Sequence, residues 1–138
     1  MDKEFDVLLW GATGFTGRLT AQHLADRYGV DGEELRWTIG GRNLEKLEAV
    51  RTALNAADGQ LTPVVADAND LDAMRDAASR ARVVCSAVGP YARYGSSLVQ
   101  ACAENGADYC DLTGEVQWMR AMMDAHGEAA EASGARIV

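Results

Sequence analysis

Lysine and cysteine are scarce in this sequence of 138 residues. The first shortage argues against a Walker-type phosphate loop and the second against a metal site. Lysine occurs only as Lys3 and Lys46, so no lysine follows the first glycine cluster and a Walker-type phosphate loop is excluded. The three cysteines are odd in number and contain no CxxC pair, which argues against a metal site. We therefore expect free thiols at Cys85, Cys102 and Cys110, in a reducing, cytoplasmic compartment.

Long apolar runs and an excess of positive charge are also absent. No apolar run approaches the length that spans a bilayer, and the first residues lack the pattern of a signal peptide, so we expect neither feature. The 21 acidic residues outnumber the 13 Lys and Arg residues, and the net charge of -8 argues against nucleic-acid and anionic-membrane partners. A small anionic ligand is still compatible with this charge, because a local site can oppose it.

Short apolar runs alternate with amphipathic segments along the chain, and 48% of the residues are hydrophobic. The length suits one domain over residues 1–138 with a core of its own. Strands are expected at 6–10, 35–39, 61–66, 82–88, 108–112 and 135–138. Helices are expected at 15–28, 44–54, 71–78, 96–105 and 113–132, the last with a break near 126–127. The alternation predicts an α/β fold: a doubly wound parallel (Rossmann) sheet of about six strands, in three αβα layers and in the order 3-2-1-4-5-6.

Three glycines spaced three apart follow the first apolar run, in the stretch "GATGFTG". Gly11 permits a sharp turn off the strand, Gly14 leaves room for a pyrophosphate, and Gly17 allows the helix to pack closely. The backbone amides of residues 13–16 then point at the anion, and the helix dipole adds to the attraction. A plain glycine turn is the alternative, but the place between a strand and a helix favours nucleotide binding. The phosphate-binding candidates are Gly11, Ala12, Thr13, Gly14, Phe15, Thr16 and Gly17.

The residues after the second expected strand indicate which nucleotide binds. A site specific for NAD usually carries Asp or Glu at the end of this strand, whereas here the sequence reads "GGRN". Arg42 can hold a 2′-phosphate through two parallel hydrogen bonds and can stack on adenine, with Asn43 and Lys46 nearby. We therefore predict NADP as the cofactor. The alternative is that Arg42 is a solvated loop residue and that Asn43 caps the next helix.

Three further loops are expected at the same edge of the sheet. Asp67, after the third strand, either accepts a hydrogen bond from the adenine amino group or is a turn residue. In "DLTGE", after the fifth strand, either Thr113 caps the next helix or Glu115 faces a substrate cleft. The loop after the fourth strand lies where the nicotinamide half of a dinucleotide passes. Its candidate residues are Ala87, Val88, Gly89, Pro90 and Tyr91. No residue is assigned a catalytic role.

Several stretches together resemble the N-terminal NADP-binding domain of the saccharopine dehydrogenase-like oxidoreductases. They are the glycine loop, "GGRN", "SAVGPYARYGSSLVQACAENGADYCDLTGE" and the final "ARIV". The resemblance runs nearly end to end, and the combination of "GPYARYG" with "CDLTGE" is far more specific than the glycine loop. The family includes the trans-acting enoyl reductases. The resemblance implies a pyridine-nucleotide oxidoreductase whose cofactor is held by residues 11–17, Arg42 and residues 88–91, and it does not imply saccharopine as the substrate.

The resemblance also implies a second domain that builds the substrate site, and the sequence does not contain it. We expect a fragment of a longer two-domain protein in which a small-molecule substrate meets the cofactor, and we expect this chain alone to be inactive. The alternative is a small protein whose sheet edge pairs with a second copy as a homodimer. Two other functions stay open, a non-enzymatic NADP(H) sensor and an extended short-chain reductase. The latter class uses a Tyr-x-x-x-Lys pair, and no Tyr here has a Lys four residues on.

Overall fold

The structure is a computed structural model that describes residues 2–138. Its strands are β1 (Phe5–Trp10), β2 (Trp37–Gly41), β3 (Val64–Val65), β4 (Ala81–Ser86) and β5 (Asp108–Cys110). Its helices are α1 (Phe15–Tyr28), α2 (Leu44–Ala53), α3 (Leu71–Arg80), α4 (Tyr91–Tyr94), α5 (Ser96–Asn105) and α6 (Val116–Ser133). Strands and helices thus largely alternate, as the apolar pattern predicts.

The strands form one parallel sheet in the order β3-β2-β1-β4-β5. In this sheet Leu9 of β1 lies between Ile39 of β2 and Cys85 of β4. The predicted sixth strand is reduced to a single parallel bridge between Ile137 and Tyr109, beyond β5. The α/β prediction and the doubly wound strand order are confirmed. Because the strands are parallel, their carboxyl ends meet at one edge of the sheet, which is where ligands bind in this architecture.

Helices cover both faces of the sheet, so neighbouring residues of β1 enter different cores. Leu8 and Trp10 pack with residues of α3, α5 and α6, whereas Leu9 packs with residues of α1 and α2. Burial on both faces explains why the strands read as continuous apolar runs and do not alternate with polar residues. Trp37 and Trp118 are buried in these cores as well.

All five strands differ from their expected bounds by one to three residues at one or both ends, and β4 and β5 each end two residues earlier than expected. For two strands the reason is identifiable. β2 begins at Trp37, two residues later than expected, because the Arg36 N–H donates to the Asp6 carboxylate at 3.0 Å. β3 contains only Val64 and Val65, since Pro63 before them has no N–H to offer a neighbouring strand.

The last helix also differs from its expected form. α6 begins at Val116 and not at Thr113, and it continues without a break through Gly127 to Ser133. None of the helices within the described residues combines the length and the apolar character that crossing a bilayer requires.

Candidate nucleotide-binding site

Gly11 forms the turn that leaves β1. Its φ is +89°, in the region that favours glycine, and a Cβ here would lie 2.4 Å from Cγ2 of Val88. The Gly11 N–H donates to the Gly40 carbonyl oxygen at 2.8 Å, and the Ala87 N–H donates to the Trp10 carbonyl oxygen at 2.8 Å. Backbone contacts therefore hold the ends of β1, β2 and β4 together at this turn.

The other two glycines of the loop have different surroundings. A Cβ on Gly17 would lie 1.9 Å from the Gly11 carbonyl oxygen, so only glycine lets α1 pack this closely on the turn. A Cβ on Gly14 would meet no heavy atom closer than 3.8 Å. Gly14 is the N-cap of α1 without a side-chain hydrogen bond, and the first turn of the helix has no acidic residue. The amides at the start of α1 are thus uncapped by side chains, and the helix dipole there favours an anion.

A cavity of about 250 Å³ lies at the carboxyl ends of β1–β4, beside the glycine turn. Six residues that the sequence predicts for the site line it together: Gly11, Thr13, Arg42, Asp67, Val88 and Gly89. Four other residues line it that were not predicted: Trp10, Gly41, Ala68 and Tyr94. The first three adjoin predicted residues in sequence, and Tyr94 lies one helical turn after Tyr91, so proximity along the chain was the available signal.

The remaining predicted residues do not line this cavity. Ala12 is fully buried, Phe15 is 83% exposed, and Lys46 lines a separate cavity with Arg18. The others of this group are Gly14, Thr16, Gly17, Asn43, Ala87, Pro90 and Tyr91. Their assignment to the cofactor site stays a prediction.

Arg42 brings positive charge to the cavity. It directly follows β2, at the position where an NAD-specific site carries an acid. Most arginines of this chain pair with carboxylates, whereas Arg42 forms no ion pair within residues 2–138. Asn43 accepts the Lys46 N–H on Oδ1 at 3.0 Å and so caps α2, which was the alternative interpretation of this residue. The Arg42 guanidinium is therefore available to an anionic group of a ligand.

Asp67 and Trp10 also line the cavity. The Asp67 Oδ1 accepts the Asn69 N–H at 2.8 Å, so Asp67 is a turn residue and a wall residue at once. The Trp10 side chain is 2% exposed, and its Nε1 is buried without a hydrogen-bond partner in the described part of the chain. A buried N–H without an acceptor costs about 1–3 kcal/mol.

Tyr91 packs in the core beneath the loop that follows β4. Its side chain is buried, and its ring packs on Trp118 with the centroids 5.5 Å apart. The Tyr91 hydroxyl donates to the Ser86 carbonyl oxygen at 3.2 Å, and burial raises the pKa of that hydroxyl. Tyr91 therefore belongs to the core under the loop, while Tyr94 faces the cavity.

Glu115 makes a contact that the sequence does not predict. Its carboxylate accepts the backbone N–H of Tyr91 at 2.6 Å and that of Ala92 at 3.1 Å, and neither interpretation of "DLTGE" included this contact. Thr113 is not the helix cap, because its Oγ1 accepts the Glu115 N–H at 3.1 Å and α6 begins later. Tyr91 and Glu115 are 24 residues apart in sequence, and local residue spacing does not predict such a contact.

Two half-buried thiols lie side by side on β4 and β5, where Cys85 and Cys110 are in register. The neighbouring Cys85 thiol lowers the pKa of Cys110 to about 7, and the same neighbour together with burial raises the pKa of Cys85. Cys102 lies inside α5, where burial raises its pKa to about 12. Across residues 2–138, no three His, Cys, Asp or Glu side chains converge as metal ligands would.

Comparison with known proteins identifies relatives of high sequence identity. A family profile described as "Saccharopine dehydrogenase NADP binding domain" matches residues 7–138. A trans-acting enoyl reductase of Mycobacterium leprae (strain TN) is 48% identical over 138 residues, which make up 99% of this chain and 32% of the relative. A trans-acting enoyl reductase of Mycobacterium tuberculosis (strain H37Rv) is 47% identical over 139 residues, with the same coverage. The chain thus spans about a third of the length of these relatives.

Solved structures of lower sequence identity share the fold. Apo saccharopine dehydrogenase (L-Glu forming) from Saccharomyces cerevisiae matches with a TM-score of 0.62 and 17% identity, over 96% of this chain and 26% of that one. The structure of AtPrR2 with NADP+ and (+)pinoresinol matches with a TM-score of 0.56 and 16% identity, over 98% of this chain and 48% of that one. Both likenesses support the doubly wound architecture.

Proposed function

Because the chain belongs to the family of saccharopine dehydrogenase NADP-binding domains, we propose that it holds NADP(H) in the cavity beside the Gly11 turn. The observation that carries this proposal is the position of Arg42. This arginine follows β2, lines the same cavity as the glycine turn, and pairs with no carboxylate within the described residues. An unpaired guanidinium in that place suits a 2′-phosphate, which NADP has and NAD lacks.

Each part of the cofactor has a proposed place along this edge of the sheet. The uncapped amides at the start of α1 would bind the pyrophosphate, and Arg42 would bind the 2′-phosphate. Asp67 would face the adenine, and the loop of residues 88–91 would face the nicotinamide half. The cofactor supplies the hydride when bound, while residues of this chain bind and orient it.

Titration of the protein with NADPH and with NADH tests the proposal, with the tryptophan fluorescence of the protein and the fluorescence of the ligand as the readout. NADPH should bind at least about tenfold more tightly than NADH, because charged hydrogen bonds to the 2′-phosphate contribute about 1.5–3 kcal/mol each. Arg42→Ala should erase most of this difference. Arg120→Ala removes the same charge from α6, outside the cavity, and should leave the difference unchanged. Equal affinities for NADPH and NADH in the unmodified protein would contradict the proposal.

For the longer protein we propose an NADP-dependent oxidoreductase that reduces a carbon–carbon double bond next to a carbonyl group. The relatives that are 47–48% identical are named trans-acting enoyl reductases, and this chain covers only 32% of their length. A further domain would then hold the substrate against the nicotinamide. The second candidate is an NADP(H) sensor, which would bind the nucleotide without turnover.

The proposal also covers the cellular compartment of the protein and its oligomeric state. The three free thiols support a reducing, cytoplasmic location. A homodimer that pairs at the sheet edge beyond β5 is the alternative to a second domain, and sedimentation of the protein distinguishes the two by mass.

A further inference from the structure

The carboxylate of Glu115 ties together two loops at the carboxyl edge of the sheet. Its Oε2 accepts the Tyr91 N–H at 2.6 Å, and its Oε1 accepts the Ala92 N–H at 3.1 Å. Both carboxylate oxygens are thus used on adjacent backbone amides of the segment that follows Pro90. Hydrogen bonds to an ionised acceptor are shorter and stronger than neutral ones, so this contact fixes the backbone of that segment.

Glu115 is itself held in place from the buried sheet. The Glu115 N–H donates to Oγ1 of Thr113 at 3.1 Å, and the Thr113 N–H donates to Oδ1 of Asp111 at 3.0 Å. The other oxygen of Asp111 accepts the hydroxyl of Tyr109 at 2.6 Å. Tyr109 lies on β5 and is buried, so the chain of contacts begins on a fixed strand and ends at the loop after β4.

The loop that Glu115 holds reaches the candidate cofactor cavity. Val88 and Gly89 line that cavity, and Val88 lies against the Gly11 turn. β4 adjoins β1 on one side while β2 adjoins it on the other, and in this topology the dinucleotide crosses between the two halves of the sheet. Arg42 and Asp67 follow β2 and β3, so they lie on the side opposite to the loop after β4.

We propose that Glu115 is a positioning residue for the nicotinamide half of NADP(H), which it serves by holding the loop of residues 88–91. The inference rests on the proposed function, because it takes the cavity to be the cofactor site. Glu115 does not need to touch the cofactor in order to act. Its loss should change the fit of the loop to the nicotinamide half and leave the adenine half unaffected.

The affinities for two ligands distinguish the nicotinamide half of the site from the adenine half. NADPH uses the whole site, whereas adenosine 2′,5′-bisphosphate carries the groups that Arg42, Asp67 and the amides at the start of α1 would meet and lacks the nicotinamide half. In Glu115→Gln one carboxylate oxygen becomes an NH₂ group that cannot accept, so the variant should bind NADPH about tenfold more weakly. Its affinity for the bisphosphate should stay within about twofold of the unmodified protein. Glu128→Gln makes the same change of charge at an exposed position of α6 and should alter neither affinity.

The pattern of the two affinities decides between a positioning role and a merely structural one. An equal loss of both affinities would overturn the inference, because Glu115 would then support the fold as a whole. Unchanged binding of NADPH would overturn it as well. If Glu115→Gln fails to fold, Thr113→Ala removes the acceptor that holds the Glu115 amide, and the same selective loss of NADPH affinity is required of it. If the unmodified protein binds neither ligand, the proposed function itself is wrong and this inference is wrong with it.

Discussion

Among the glycines, Gly17 leaves the least room for an added methyl group. A Cβ there would lie 1.9 Å from the Gly11 carbonyl oxygen and 2.8 Å from the Ala12 Cα, and both are backbone atoms that cannot rotate away. We expect Gly17→Ala to lower the free energy of unfolding by about 1–3 kcal/mol or more, since relief requires a shift of α1 or of the turn. Urea denaturation monitored by circular dichroism measures this change.

The same substitution elsewhere in a helix provides the control for Gly17. Gly127 lies inside α6, and a Cβ there would have no heavy atom within 4 Å. Gly127→Ala should therefore raise the free energy of unfolding by about 0.5–1 kcal/mol, because alanine loses less backbone entropy in a helix. A Gly17→Ala protein as stable as Gly127→Ala would contradict the close packing of α1 on the turn.

Cys110 should be the most reactive of the three thiols near neutral pH. Its pKa is lowered to about 7 by the neighbouring Cys85 thiol, whereas burial raises the pKa of Cys102 to about 12. The thiolate is the reactive form, so alkylation of Cys110 by iodoacetamide should rise as the pH increases through about 7. Cys102 should remain unlabelled over the same range. Mass spectrometry of the digested protein locates the label.

Removal of the neighbouring thiol tests the cause of this reactivity. In Cys85→Ala the thiol that lowers the pKa of Cys110 is removed. The pH midpoint of Cys110 alkylation should then rise towards the ordinary value for cysteine, about 8.5. An unchanged midpoint would show that the contact between β4 and β5 does not set the reactivity of Cys110.

At the scale of the elements, a bidentate ion pair joins α3 to α5. The Arg75 guanidinium donates from Nε to one oxygen of Glu104 at 2.7 Å and from Nη2 to the other at 3.2 Å. Hydrogen bonds from Arg75, and then from Gln100, lower the pKa of Glu104 from 4.5 to about 2. A carboxyl group whose pKa is lower in the folded protein than in the unfolded chain stabilises the fold. This stabilisation is complete above the pKa of the unfolded state and is lost as the pH falls through the pKa of the folded state.

Glu104→Gln should therefore lower the melting temperature at pH values above 4.5, and the difference from the unmodified protein should vanish as the pH falls towards about 2. Melting curves measured from neutral to acid pH test this. Asp124→Asn breaks an exposed pair within α6 and should have a smaller effect near neutral pH, because isolated surface pairs contribute little. A Glu104→Gln difference that persists undiminished at the acid end would contradict the assigned pKa.

The elements that the sequence predicts well are those with local signals. α5 begins at Ser96 and ends before Gly106, whose φ of +68° is a conformation that favours glycine at a helix end. α4 could not be predicted, because four residues carry no helical period and its first amides are bound by Glu115, which lies far along the chain. In the site, Gly11 and Arg42 could be predicted because each directly follows a strand. The unpaired Nε1 of Trp10 could not be predicted, because it depends on tertiary packing that residue spacing does not reveal.

An apolar surface of the molecule is exposed along α6. Val116 and Met123 are 69% and 57% exposed, and a groove of about 320 Å³ runs beside the helix towards Ile137. Large apolar patches on soluble proteins mark interaction sites. Its place beyond β5 suits the further domain that we propose for the longer protein.

The 138-residue chain should accordingly bind NADPH without oxidising it. Hydride transfer requires the substrate to be held about 3–3.5 Å from the nicotinamide, and the proposed substrate-holding domain lies outside this chain. We expect the longer protein to oxidise NADPH when an α,β-unsaturated acyl compound is added, and we expect its Arg42→Ala variant to require more NADPH for the same rate. Loss of NADPH absorbance measures both reactions. Turnover by the 138-residue chain would place the substrate site within it, whereas binding without turnover by the longer protein, across a panel of such acyl compounds, would favour the NADP(H) sensor over the reductase.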